Sequence, residues 1–296
     1  MNEKDRTTAF REVVPADSTL EKLATGFGFT EGPIWHPTEH YLIFSDIACS
    51  VQYRWTEKEG VRVFRTPSNQ ANGNAFDRDG RVLSCEHASS QLVRHEHYGK
   101  LIKPLATHYQ SKELNSPNDV VVDTQNRIWF TDPSFGRIRK DLGILRDQEL
   151  DFRGVFRLDP DGSLTLVTKA LNQPNGLCFS LDESKLFIND SAASQIHVFD
   201  VDEVGALTNR SVWAEISGEG EGVPDGMKVS TQGHILCNGP GGVHVLSPDA
   251  QALGVIQIPE KSTNFTFGGS QQNDLFVTAS TSVYRIRLAV SGPPWF

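Results

Sequence analysis

The chain has 296 residues and a formal net charge of −9, a balance that excludes the clustered Lys and Arg a nucleic-acid surface needs to neutralise phosphates. Apolar residues make up 38% and charged residues 22% of it without low-complexity tracts, which excludes disorder and predicts a packed core. Residues 1–6 are charged and no later run is apolar for long enough to span a bilayer, so the sequence predicts a cytoplasmic protein with no membrane partner.

Residues 1–18 read as a polar leader and 19–296 as one domain, with 20–25 as the first regular element. Next comes Thr30-Glu31-Gly32-Pro33, a phrase that returns in altered form as Ala71-Asn72-Gly73-Asn74, Ser116-Pro117-Asn118-Asp119, Gln173-Pro174-Asn175-Gly176, Val223-Pro224-Asp225-Gly226 and, more faintly, Thr263-Asn264-Phe265. Each copy presents one side chain with an oxygen: Glu31, Asn72, Asn118, Asn175, Asp225 and Asn264. Successive copies lie 41, 46, 57, 50 and 39 residues apart. Propeller blades repeat at about 40 to 50 residues.

An apolar run, a turn and a second strand follow each anchor. In 76–84, 122–130 and 229–236 the turn falls at Gly80, Asn126 and Gly233, residues that accept the positive φ a tight hairpin needs. Two further alternating strands complete each unit. No helix is predicted. The last repeat ends a strand early, and residues 20–25 can supply the missing one. The fold class is therefore all-β, a six-bladed β-propeller whose amino-terminal strand closes the last blade.

Blade three is the longest because residues 137–153, rich in charge and without a clear period, are inserted in it. A loop of that length is either a lid over a site or a solvated excursion. Cys49, Cys85, Cys178 and Cys237 form no C-x-x-C pair and read as buried strand thiols.

The first strand of every propeller blade lines the central channel, so the anchors converge near the axis. Glu31, Asn118, Asn175 and Asp225 would surround one point with two carboxylates and two amide carbonyls. That set suits a hard divalent cation and balances its charge. Single Pro-Asn-Gly and Pro-Asp-Gly phrases are ordinary turn sequences, but four copies at blade spacing favour the site. Asn72, Asp132 and Asn264 are further candidates to line the pocket, Asp132 and Asn264 with structural hydrogen bonding as the alternative. His87, after the second strand of blade two, is a candidate general base at the channel mouth with a near-neutral pKa.

These motifs, with Phe29-Thr30-Glu31-Gly32-Pro33-Ile34-Trp35 and Trp129-Phe130-Thr131-Asp132-Pro133, resemble the SMP-30/gluconolactonase/LRE-like family across all six repeats. Cys85-Glu86-His87 and Ser-Pro-Asn-Asp at 116–119 resemble its bacterial gluconolactonase branch. The resemblance implies one divalent cation, with calcium favoured over magnesium, manganese or zinc, and a small lactone as substrate. It also implies metal ligands at Glu31, Asn175 and Asp225, a fourth ligand or substrate contact at Asn118, and Asp225 as the usual base. Animal members carry an Arg two residues before this Asn, whereas this chain has Ser116, so the substrate contact of that Arg does not carry over. Alternatives are an organophosphate-hydrolysing calcium propeller and a non-catalytic propeller whose ion ties the blades. The chain is expected as a monomer or homodimer.

Overall fold

The first hairpins of the blades show how the repeat folds. Asp77 accepts the backbone N–H groups of Asp79 and Arg81 and pairs with the Arg81 side chain at 2.8 Å. Asp123 repeats this with Gln125 and Arg127 and adds the indole N–H of Trp129 at 2.9 Å. The residue that closes each turn has a positive φ, +75° at Gly80, +60° at Asn126 and +81° at Gly233, as the turn sequences predict.

The structure, a computed structural model, describes residues 2–294 except Tyr98 and Lys100. Six four-stranded antiparallel sheets form the blades of a propeller. The innermost strands of blades one to six are Thr30–His36, Ala71–Phe76, Val120–Val122, Pro174–Phe179, Met227–Val229 and Ser262–Gly268. In the first five blades the remaining strands follow outward in chain order. In the sixth, Glu21–Thr25 adds the outermost strand beside Ser282–Arg287, with Glu21 opposite Arg285 and Thr25 opposite Ser282. The ring is closed by joining the chain's two ends, as predicted. Side chains fasten the join: Arg285 reaches Glu21 at 2.7 Å and Ser282 Oγ donates to Thr25 Oγ1 at 2.9 Å.

Adjacent blades meet closely at the axis. A Cβ on Gly32 would lie 2.0 Å from the Asn72 carbonyl oxygen, one on Gly73 2.4 Å from that of Asn118, and one on Gly176 2.0 Å from that of Asp225. A Cβ on Gly226 would lie 2.1 Å from Asn264 Oδ1. The glycine after an anchor thus makes room for the next blade's anchor. Apolar clusters between blades, such as Leu83, Leu92, Phe130 and Phe156, supply the core.

Three features depart from the sequence reading. An α-helix, Glu3–Val13, precedes the first strand, which is therefore not the first regular element. Asn2 caps it by accepting the Asp5 N–H at 2.9 Å, and Phe10 packs on Gly254 of blade five while Val13 is fully buried. So few apolar residues in so polar a segment left no 3.6-residue period to read. A four-residue helix, Phe135–Ile138, opens the blade-three insert. Cys49 is exposed, whereas Cys85, Cys178 and Cys237 are buried as expected. Among the described residues no helix is long and apolar enough to cross a membrane.

Candidate metal centre

Anchors at the starts of the innermost strands place six oxygen-bearing side chains around one end of the channel. The other end widens into a cavity of about 490 Å³ lined by Ile34, Phe76, Val121, Phe179, Phe267 and Lys228, and none of the six anchors lines it. The two mouths of the channel are chemically distinct.

At the polar mouth all six anchors are buried. Neighbouring anchors are tied through the backbone: Gly73 N–H donates to the Asn118 carbonyl at 2.8 Å, and Gly226 N–H to the Thr263 carbonyl at 2.9 Å. Asn175 donates its amide to Ser191 Oγ at 3.1 Å and favours the charged form of Asp225. Glu31 accepts its neighbour's N–H, that of Gly32, at 2.8 Å, and the Asn264 amide also favours its charged form. The structure therefore brings Glu31, Asn118, Asn175 and Asp225 to one layer, with Asn72 and Asn264 completing it.

Burial pushes the Glu31 carboxyl up to about 7, a rise the Gly32 N–H opposes and the charge of Asp119 reinforces. Asp225 is raised well above its ordinary value, first by burial and then by the charge of Glu31. Among the described residues neither acid has a basic side chain within ion-pair distance. Two facing carboxylates buried without such a partner are the situation a divalent cation relieves, and two amide oxygens beside them complete a hard donor set. The residues present fit the metal. Among the described residues no three His, Cys, Asp or Glu side chains gather as a metal cluster, so a cation held here would need amide donors beside the two carboxylates.

Other candidates fall behind the layer. His87 is fully buried; its Nδ1 meets the Leu142 carbonyl at 2.8 Å and its Nε2 the Asn72 amide nitrogen at 3.2 Å. A neutral ring protonated at Nδ1 satisfies both contacts, and burial lowers the pKa to about 4, not the near-neutral value expected. His87 thereby turns the Asn72 nitrogen away and leaves its oxygen as the free end. Asp132 accepts the N–H groups of Asn115 and Ser116, both at 2.8 Å, and is fully buried. Both its oxygens accept backbone N–H groups, so it shapes the loop before Asn118, the structural role that was the alternative reading of this residue. Ser116 likewise donates to the Pro133 carbonyl at 2.6 Å and accepts from Gly136 N–H at 3.0 Å.

Sequence reasoning missed Asp119, buried below Asn118 with its Oδ2 unpartnered except for Lys228 Nζ at 4.0 Å. The available signal was that Glu31, Asn72, Asn175 and Asp225 are each followed by glycine, whereas Asn118 is followed by this carboxylate. It also missed the hydrogen-bonded set of Gln52, Asn74 and Ser84, in which Asn74 supports the Gly32 carbonyl at 2.7 Å. These polar residues look like ordinary strand positions until two blades face each other.

A six-bladed propeller with two buried carboxylates and a ring of amides at one mouth defines the class: a propeller whose channel mouth carries a set of oxygen donors. Residues 29–281 match the SMP-30/Gluconolactonase/LRE-like region, and the chain belongs to that family. It is 30% identical to the gluconolactonase of Zymomonas mobilis over 95% of this chain and 84% of that protein. Identity is 27% with the pentonolactonase XacC of Haloferax volcanii, covering 90% and 93% of the two chains. The solved structure of a gluconolactonase from Xanthomonas campestris superposes with a TM-score of 0.89 at 34% identity, covering 95% and 92%.

Proposed function

We propose that the chain is a sugar lactonase that opens a gluconolactone-like ring to the hydroxy acid, with a divalent cation held by Glu31, Asn118, Asn175 and Asp225. The observation that carries this reading is the pair of buried carboxylates, Glu31 and Asp225, facing one another without a basic partner within ion-pair distance. Support for the substrate comes from the family and from relatives described as gluconolactonase and pentonolactonase. All-oxygen donors favour calcium, with magnesium, manganese and zinc as the other candidates.

When bound, the cation supplies Lewis-acid polarisation of the ester carbonyl. The protein's part is positioning and proton transfer. Asn72, whose amide nitrogen is held by His87, offers an oxygen to a substrate hydroxyl, and Asn118 lies beside it. Asp225 accepts a proton from the attacking water. Water adds to the carbonyl carbon, the ring C–O bond breaks, the ring oxygen leaves as a hydroxyl group carrying the proton that Asp225 took, and the acid loses one proton to solvent at neutral pH. His87 takes no proton in this scheme, because burial keeps its ring neutral and both nitrogens are engaged.

The test is hydrolysis of sugar lactones and of a fluorophosphate by one cation-loaded preparation, before and after chelation. Lactone hydrolysis that chelation abolishes and divalent cation restores is the expected result. Fluoride release exceeding lactone opening would transfer the site to phosphotriester chemistry, and activity indifferent to chelation would remove the cation from it.

A further inference from the structure

The second mouth of the channel is built from the same repeat as the first. Each blade's innermost strand contributes an apolar side chain to the wall of the cavity of about 490 Å³ there: Ile34, Phe76, Val122, Phe179, Val229 and Phe267, in blade order. Small-molecule sites occupy about 300 to 1,000 Å³ and have such walls, apolar and aromatic around a few polar groups. No anchor lines this cavity, so what it binds is held apart from the cation centre.

Most polar groups of the wall are spent on the protein itself. Both oxygens of Glu183 accept from Thr124, whose hydroxyl lies 2.6 Å away. Ser180 Oγ donates to Asp182 at 2.6 Å, Thr266 Oγ1 to the Phe267 carbonyl at 3.2 Å, and Thr231 Oγ1 to the Ser291 carbonyl at 3.2 Å. Two cations remain. Arg78 gives its Nε to the Asp123 carbonyl at 3.1 Å. Lys228, half-buried, gives one of its three N–H donors to the Met227 carbonyl at 3.1 Å and stands 4.0 Å from Asp119, too far for a hydrogen bond. Asp119 does not line the cavity, so the wall presents the ammonium and keeps the acid behind it. In a chain of net charge −9, this wall carries two cations against one carboxylate that is already bonded. A sugar fits it badly, since its hydroxyl groups would lose water to apolar walls. An aromatic ring with one negative charge suits both the three phenyl rings and the ammonium.

We infer that this cavity is a second binding site, for a small aromatic monocarboxylate whose ring lies among Phe76, Phe179 and Phe267 and whose carboxylate meets the Lys228 ammonium. The inference is independent of the lactonase reading. Its test is calorimetric titration of the full chain with naphthalene-2-carboxylate and with the neutral naphthalene-2-methanol. The acid binds one to one, and its affinity stays within about twofold after chelation and in Asp225→Asn, because the two mouths are separate. Lys228→Met weakens the acid about tenfold, the effect of one lost charged hydrogen bond, and leaves the alcohol within about twofold. Lys228→Met combined with Asp119→Asn, which strands no buried carboxylate, gives the same result, and Lys228→Arg restores most of the loss. Val122→Trp, which fills the cavity, weakens acid and alcohol alike. Absence of saturable binding, equal losses of acid and alcohol on Lys228→Met, or binding that disappears with the cation would overturn the inference. Binding seen only in a chain shortened to end at Pro294 would also overturn it, by giving the cavity to residues 295–296.

Discussion

Two buried charged regions lie on the same side of the molecule, and they are built in opposite ways. Arg137 sits in the blade-three insert with its side chain almost wholly enclosed, and its guanidinium meets the carbonyls of Asn115, Leu114 and Asp147, the Ser90 hydroxyl and the Glu113 carboxylate. Glu31 and Asp225 are equally enclosed but face each other, and the one backbone N–H that bonds them is that of Gly32 on Glu31. A buried charge with each nitrogen matched holds a scaffold together, whereas like charges left facing one another mark a place that something else must complete.

The comparison is broken most sharply by Asp225→Asn. Lactone hydrolysis should fall about 10³-fold, the scale on which a single electrostatic contributor to the transition state counts. Chelated protein carrying the same change should nevertheless melt at a higher temperature than chelated wild type at pH 8, because one of two facing charges is gone. The pH dependence follows with the same sign. Glu31 is raised from 4.5 to about 7 in the fold, so its contribution is fully present below pH 4.5 and is lost as pH rises through about 7. The melting temperature of chelated wild type should therefore drop across that window, more steeply than that of Asp225→Asn, which lacks the second raised acid, and added cation should cancel the drop. Parallel melting curves for the two proteins would show that the acids do not oppose one another.

Arg137→Met sharpens the contrast from the other side. It strands the Glu113 carboxylate and several carbonyls, and should destabilise the protein by about 3 kcal/mol in denaturant unfolding. A variant as stable as wild type would mean that the insert is not braced through this residue. The smallest effect is expected at His87→Gln, where lactonase activity should fall by about tenfold at most, as for a residue that orients a functional neighbour. The pH–rate profile should keep its shape. Loss of a limb in that profile would make His87 a proton carrier after all.

Sequence alone determined the propeller, its six-fold count and the closing strand, because anchor phrases at blade spacing and positive-φ turn residues are local signals repeated often enough to be read. The oxygen-bearing anchors were legible as a set for the same reason, since each stands at a like position of its own repeat. Tertiary structure decided what their surroundings do. Asp132 and His87 sit near the anchors in sequence, yet their atoms are consumed by the Asn115 and Ser116 amides and by Leu142 and Asn72. The amino-terminal helix was invisible because its apolar face consists of few residues and meets blade five, more than two hundred positions away. Asp119 and Lys228 gain meaning only when blades distant in the chain are brought around one axis. Repetition announces itself along the chain, but desolvation and charge proximity depend on neighbours that only closure of the ring assembles.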